Sequence, residues 1–183
     1  MPYRFVGYAI ISEDGMLADA MGVIPPSLVV KADQDFFMRG LDDAAALVHG
    51  RNSAEQPTSP SRRRLIATRS IASLAPSPDQ PNALLWNPNG IAIEDALAEF
   101  GIAAGDIAII GGTDIFGAFL PRYDAFHLTR APDVMLPGGR PVFPGIPATS
   151  PEALLQDAGL VTTGARRLDP QRGITVTSWQ RKV

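Results

Sequence analysis

Apolar residues in this chain come in short runs broken by glycine and proline, and the runs alternate between two periods. Residues 3–12 carry Phe5, Val6, Tyr8, Ile10 and Ile11, the pattern of a first β-strand, and Glu13-Asp14-Gly15 turns it. Residues 32–39 read as a short helix, with Phe36 and Phe37 supplying apolar contact and Asp33 either capping it or sitting in its first turn. Residues 44–49, 65–68 and 83–86 read as three further strands. Ile93, Ala96, Leu97 and Phe100 recur at helical spacing before the stop at Gly101. The apolar run 107–110 breaks at Gly111-Gly112 and restarts as a helix through Ile115, Phe116, Phe119 and Leu120, with Thr113 or Asp114 as its cap. A strand over 123–130 and a hairpin of 160–168 with 174–181 complete the pattern. Strands alternating with helices, followed by a hairpin, predict a three-layer α/β sandwich. Its central sheet is mainly parallel and its C-terminal hairpin forms an antiparallel edge. The Pro- and Gly-rich stretches at 57–60, 76–90, 132–151 and 170–173 read as loops of one domain spanning 1–183.

In such sheets ligands bind at the carboxyl ends of the strands. Three strand ends carry turns that suit a phosphate. Gly50-Arg51-Asn52-Ser53 offers a cation and two small polar donors, Thr68-Arg69-Ser70 offers another cation with hydroxyls, and Gly111-Gly112-Thr113 lets a ligand approach the main chain. Each is also readable as a plain surface turn. If the strands run parallel, all three lie on one rim, an arrangement that fits an extended dinucleotide. The irregular segment 16–26 is a candidate ligand-covering loop or a simple connection. Arg62-Arg63-Arg64 is either a solvated face or a holder of an anionic ligand. His127 alternates with apolar Phe126 and Leu128 and is expected to face solvent or a polar edge.

Composition narrows the function classes. A net charge of −3 and a pI near 5.3 give no electrostatic case for nucleic acid or an anionic membrane. The absence of cysteine removes thiol chemistry and Cys-based metal sites, and the two histidines, His49 and His127, lack metal-binding spacing, so no metal is expected. Apolar residues at 45% supply a core, and no run approaches the roughly 20 residues that span a bilayer. A cytoplasmic protein is the default expectation.

Taken in order, the motifs resemble those of the dihydrofolate reductase superfamily, including the riboflavin-pathway reductase domain. Ser12-Glu13-Asp14-Gly15 resembles the exit of the first strand in the riboflavin-type branch. Asp33 followed by Phe37 resembles the active-site carboxylate and the substrate-contacting Phe four residues on, although Asp35 competes with Asp33 for that place. Gly50-Arg51-Asn52-Ser53 resembles the turn that holds NADPH phosphates, and Thr68-Arg69-Ser70 the strand end that helps select the 2′-phosphate. Gly111-Gly112-Thr113-Asp114-Ile115-Phe116 resembles the signature whose glycines, joined by a cis peptide, touch the nicotinamide side and the pyrophosphate. Thr129 resembles the Thr paired with the carboxylate, and Ile10 and Leu17 take the place of residues lining the nicotinamide pocket. Arg62 or Arg64 stands where an Arg would hold the glutamate tail of folate. The Pro-Trp of the folate enzyme's mobile loop has no counterpart; Leu28 falls near the Trp, and Lys31 is foreign to that pattern.

The resemblance implies an NADPH-dependent reductase of a pterin-like or pyrimidine-like heterocycle, with a homodimer as a candidate assembly. A riboflavin-type reductase of a ribosylamino-pyrimidine is the second reading, since a phosphorylated substrate would give Arg62 to Arg64 something to hold. A nucleotide-binding module without reductase activity is the third.

Overall fold

The computed structural model describes residues 2–182. The chain runs β1 (Tyr3–Ser12), β2 (Met16–Ala18), α1 (Lys31–Asp43), β3 (Ala46–Gly50), β4 (Arg64–Ala67), β5 (Leu74–Pro76), β6 (Ala83–Trp86), α2 (Ile93–Glu99), β7 (Gly105–Ile109), α3 (Thr113–Ala118), β8 (Ala125–Ala131), β9 (Arg140–Pro141), α4 (Pro151–Asp157), β10 (Leu160–Asp169) and β11 (Ile174–Arg181). Nine strands form one sheet in the order β10-β11-β8-β1-β7-β3-β4-β6-β5, and β2 pairs with β9 apart from it. From β8 to β6 every pairing is parallel, whereas β10-β11, β11-β8 and β5-β6 are antiparallel. The expected parallel sheet with a C-terminal hairpin edge is what forms.

Alternation along the central strands explains the three layers. In β3, Ala46 and Val48 join one apolar cluster and Leu47 the other; in β7, Ile107 and Ile109 divide from Ala108 in the same way. Successive side chains point to opposite faces, so a strand apolar at every position needs cover on both. The larger cluster packs under α2 through Ile93, Ala96 and Leu97, under α3 through Phe116, and under α4 through Leu155. The smaller lies under α1, whose Leu41 meets Leu47 and Ala108. In α1, Asp33, Phe37 and Leu41 recur every fourth residue, which puts all three on the inward face.

Several elements differ from the sequence expectation. Helix α1 extends past residue 39 to Asp43. Segments 16–26 and 132–151 are not wholly loop, because Met16 and Ala18 pair with Pro141 and Arg140. Strand β5 and helix α4 lie mostly in stretches to which the sequence pattern assigns no element; α4 is capped by Ser150, whose side chain accepts a bond from the Ala153 N–H at 3.1 Å, and has Pro151 in its first turn. The cap expected at Thr113 or Asp114 is absent: Gly112 occupies the N-cap without a side-chain bond, and the Thr113 hydroxyl donates to the Pro141 carbonyl instead.

Gly7 sits in β1 where any side chain would collide with its neighbour: a Cβ there would lie 2.2 Å from Phe126 Cδ2. Gly7→Ala is expected to destabilise the protein by about 1–3 kcal/mol through overpacking. Urea denaturation measures this; an unchanged midpoint would show that Phe126 can swing aside.

Candidate functional site

Parallel pairing sets the carboxyl ends of the strands side by side in the order β8, β1, β7, β3, β4. Thr129 of β8 lies beside Ile10 of β1, Gly111 follows β7, Gly50 ends β3 and Thr68 follows β4. The three turns read from the sequence are therefore consecutive along the rim, and hydrogen bonds join them. The Gly50 N–H donates to the Gly111 carbonyl at 2.7 Å. Arg51 donates to Thr68 Oγ1 at 2.8 Å, and that oxygen lies 2.9 Å from Ser70 Oγ. The Gly111–Gly112 peptide is cis. Gly111 has φ +105°, and a Cβ on it would lie 2.8 Å from the Phe116 ring, so only glycine fits.

Beside the turns lies a cleft of about 440 Å³, a size that suits a small organic ligand. Its wall joins two halves. Asn52, Ser53, Gly112 and Thr113 come from the rim turns, and Ile10 and Leu17 lie between. Asp33, Phe36, Phe37 and Met38 come from α1, Thr129 and His127 from β8, and Ile24, Leu28 and Val29 from the segment after β2. Arg51, Thr68, Arg69 and Ser70 continue the rim beyond the cleft proper. Arg51 and Arg69 are exposed, and among the described residues neither has a carboxylate within ion-pair distance. Two uncompensated guanidiniums at neighbouring strand ends are a donor set matched to phosphate. Asp114 is exposed and Ile115 packs against the core; neither side chain lines the cleft.

Of the two carboxylates that line the cleft, Glu55 is paired with Arg64 and Asp33 is not ion-paired among the described residues. Asp33 lies in the first turn of α1 with 8% exposure, while Asp35 faces out and pairs with Lys31 at 2.8 Å. Burial raises the Asp33 pKa to about 6, and a hydrogen bond from Thr129 pulls it the other way. His127 corrects the sequence expectation. It is half-buried beneath α1, its ring 5.0 Å from that of Tyr8 and 5.2 Å from that of Phe36, and its Nδ1 lies 2.9 Å from Ser178 Oγ. Burial lowers its pKa, with Arg4 adding to the effect.

The arginine run also departs from expectation. Arg64, read as a substrate ligand, is 1% exposed. Its guanidinium donates to both oxygens of Glu55 at 2.6 and 2.7 Å and to the Ser59 carbonyl at 2.9 Å. It cannot meet a substrate without abandoning a buried carboxylate. Arg62 is divided between Asp42 and Glu55, and Arg63 reaches the Gly101 carbonyl. The Ser12-Glu13-Asp14-Gly15 turn is likewise occupied: Ser12 Oγ donates to Asp14 at 2.6 Å, and Asp14 accepts the Leu136 N–H, clipping two loops together. Tyr8, Met38 and Glu55 also line the cleft without having been singled out in the sequence: Tyr8 lies on β1, Met38 on α1 and Glu55 in the loop after β3.

This is an α/β architecture with a cleft at its carboxyl rim, and its fold is that of dihydrofolate reductase. No protein-family model matches the sequence, and no curated protein matches it. Among solved structures, a putative riboflavin biosynthesis protein from Shewanella sp. PV-4 superposes with a TM-score of 0.67 at 20% identity, covering 98% of this chain and 99% of that one. Dihydrofolate reductase from Enterococcus faecalis, complexed with NADP(H), gives 0.65 at 16% identity over 98% and 97%. The diaminohydroxyphosphoribosylaminopyrimidine deaminase/5-amino-6-(5-phosphoribosylamino)uracil reductase of Thermotoga maritima gives 0.68 at 14% identity; 98% of this chain matches 56% of that one.

Two outcomes test these assignments. Replacing Arg64 by Met leaves Glu55 charged and buried, so Arg64→Met is expected to cost about 3–5 kcal/mol in chemical denaturation; a ligand-binding Arg would leave stability untouched. For Asp33, an acid whose folded pKa is raised holds its proton more tightly when folded, so its contribution to stability falls as pH rises from 3.8 through about 6. Asp33→Asn removes that fall. Thermal melts should show the variant gaining on the parent between pH 4 and pH 7 by up to about 3 kcal/mol. A pH-independent difference would place the Asp33 pKa at its ordinary value.

Proposed function

We propose that the protein is an NADPH-dependent reductase that delivers hydride to a C=N or C=O bond of a pterin-like or pyrimidine-like ring. The observation that carries this reading is the division of the rim. Uncompensated Arg51 and Arg69 stand at one end, and a buried carboxylate, Asp33, faces the cleft at the other. The fold shared with an NADP(H)-complexed dihydrofolate reductase and with a uracil reductase supports it.

The bound nicotinamide would supply the hydride; the chain's own groups do the rest. Arg51, Arg69 and Ser70 hold phosphate oxygens through charge-assisted bonds, with Thr68 fixing the Arg51 fork. Gly50, Asn52, Ser53, Gly112 and Thr113 line the path between the phosphates and the cleft, and Asp114 and Ile115 continue it through the main chain. Ile10 and Leu17 give the nicotinamide an apolar seat. Asp33, oriented by Thr129, grips a ring nitrogen and its amino group, and its raised pKa lets a carboxyl oxygen hold or pass a proton near neutral pH. Phe37 packs against the ring.

The riboflavin-type reading, with a phosphorylated ribosylamino-pyrimidine as substrate, loses the support of the arginine run, since Arg62 and Arg64 are committed to carboxylates. Arg51→Ala tests the cofactor assignment. We expect it to weaken NADPH at least tenfold while leaving NADH within about twofold, as the loss of a charge-assisted bond of about 1.5–3 kcal/mol predicts. Fluorescence titration of the reduced cofactors measures the ratio, and an unchanged ratio would remove Arg51 from the phosphate site.

A further inference from the structure

The α1 side of the cleft has a cation that the fold leaves without a partner. Arg166 of β10 pairs in register with Val176, Val176 with Thr129, and Thr129 with Ile10. Residues paired in this way send their side chains to one face of a sheet, so Arg166 shares a face with the Thr129 that bonds Asp33. Its guanidinium carbon lies 5.2 Å from the centroid of the Phe36 ring, and Phe36 lines the cleft one turn along α1 from Asp33. Among the described residues no carboxylate stands within ion-pair distance of Arg166. Stacking on an aromatic face occupies the plane of a guanidinium and leaves its N–H edge free for an oxyanion.

His127 meets the same Phe36 ring from the neighbouring row of the sheet, where it pairs with Tyr8 and Ser178. With the Ser178 hydroxyl donating to Nδ1, the neutral imidazole carries its hydrogen on Nε2, and Nε2 has no partner among the described residues. Gly164 ends that row, and a Cβ there would meet nothing within 4 Å, so the hairpin beside Arg166 is open to an approaching group. Arg140, a second arginine without a carboxylate, meets the cleft elsewhere: a Cβ on Gly22, in the segment after β2, would lie 2.8 Å from its Nε. Arg62 and Arg64 are committed to Asp42 and Glu55. Resting on the reductase reading above, we infer that the substrate ring gripped by Asp33 carries an oxyanionic group, a carboxylate or a phosphate, held by Arg166 with the His127 Nε2–H beside it. The C-terminal hairpin, not the loop of residues 51–63, supplies the charge that selects the substrate.

The experiment is calorimetric titration of the full chain, with and without NADPH, using probes built on one 2-aminopyrimidine ring. One is unsubstituted, and the others bear a carboxypropyl, a phosphonopropyl or an uncharged carbamoylpropyl chain. The better of the two anionic probes should bind about tenfold or more tighter than the carbamoyl probe, and its identity names the oxyanion. That margin should shrink as salt is raised. Arg166→Ala, at an exposed position, should abolish the margin and leave the carbamoyl probe within about twofold, whereas Arg140→Ala should leave the margin intact. His49 and His127 are the two histidines of the chain, so nitrogen-15 imidazole spectra read each directly. The His127 Nε2 resonance should move with the anionic probe and not with the bare ring, while His49 stays. A margin that is absent, that survives Arg166→Ala or that is lost in Arg140→Ala, or an unmoved His127, would overturn the inference and leave the reductase reading standing. If no probe binds, or if binding is indifferent to Asp33→Asn, the reductase reading falls and the inference with it.

Discussion

Parallel pairing is the constraint on which the rest of this structure depends. A parallel strand cannot return by a hairpin, so each connection must cross a face of the sheet. Six strands, β8, β1, β7, β3, β4 and β6, are joined by such pairings, so their carboxyl ends share one rim. The rim is where the backbone leaves the sheet, so it is where polar turns collect without cost to the core. The cleft follows from the topology: α1 crosses one face and leaves a gap between its inward side chains and the strand ends.

The connection from β3 to β4 has no helix. Between β3 and β4 the chain runs through a loop, residues 51–63, which must satisfy its own polar groups. It does so around a buried ion pair. Glu55 accepts from Arg64, from Arg62 and from the Ser59 N–H, while Arg64 also donates to the Ser59 carbonyl. Arg64 Nη1 lies 3.3 Å from His49 Nε2, and His49 Nδ1 lies 2.7 Å from the Gly50 carbonyl. With Nδ1–H donating and Nε2 accepting, one neutral tautomer satisfies both contacts, in keeping with the lowered His49 pKa that burial causes. The network therefore ties the loop to the turn carrying Arg51. Buried pairs of this kind rarely add net stability, but losing one partner is expensive, so the loop is held to one conformation.

Much of this was legible in the sequence, and the failures have physical reasons. Strands β1 and β6 fall where dense β-formers put them, because bulky apolar runs bounded by turns leave few alternatives. The short pair β2 and β9 was not legible: it joins residues more than a hundred positions apart through few bonds. Asp33 and Asp35 looked alike as sequence, yet helical phase separates them, since Asp33 shares a face with Phe37 and Leu41 and Asp35 does not. His127 was misjudged because alternation gives the opposite face from Phe126 and Leu128, and in a sheet covered on both sides the opposite face is not solvent. Arg62-Arg63-Arg64 looked like one charged patch, but strand geometry sends neighbours apart. The first residue of β4 points into the β3–β4 loop, where a carboxylate nine residues earlier in the chain awaits it.

The arrangement of charge carries the last step. Arg51 and Arg69 cost the fold little when unpaired, because water solvates them. Asp33 is different: buried, with one hydroxyl to moderate it, it opposes folding at neutral pH and persists only because its surroundings hold it. A chain selected for stability alone would place Asn or Leu there. A destabilising acid lining a cleft, on the inward face of the longest helix among the described residues, is the observation on which the proposed ligand contact rests. Its polarity also explains the wall around it. Among the described residues no cation pairs with Asp33, and the nearby Arg62 and Arg64 are committed to Asp42 and Glu55, so burial leaves its pKa raised to about 6.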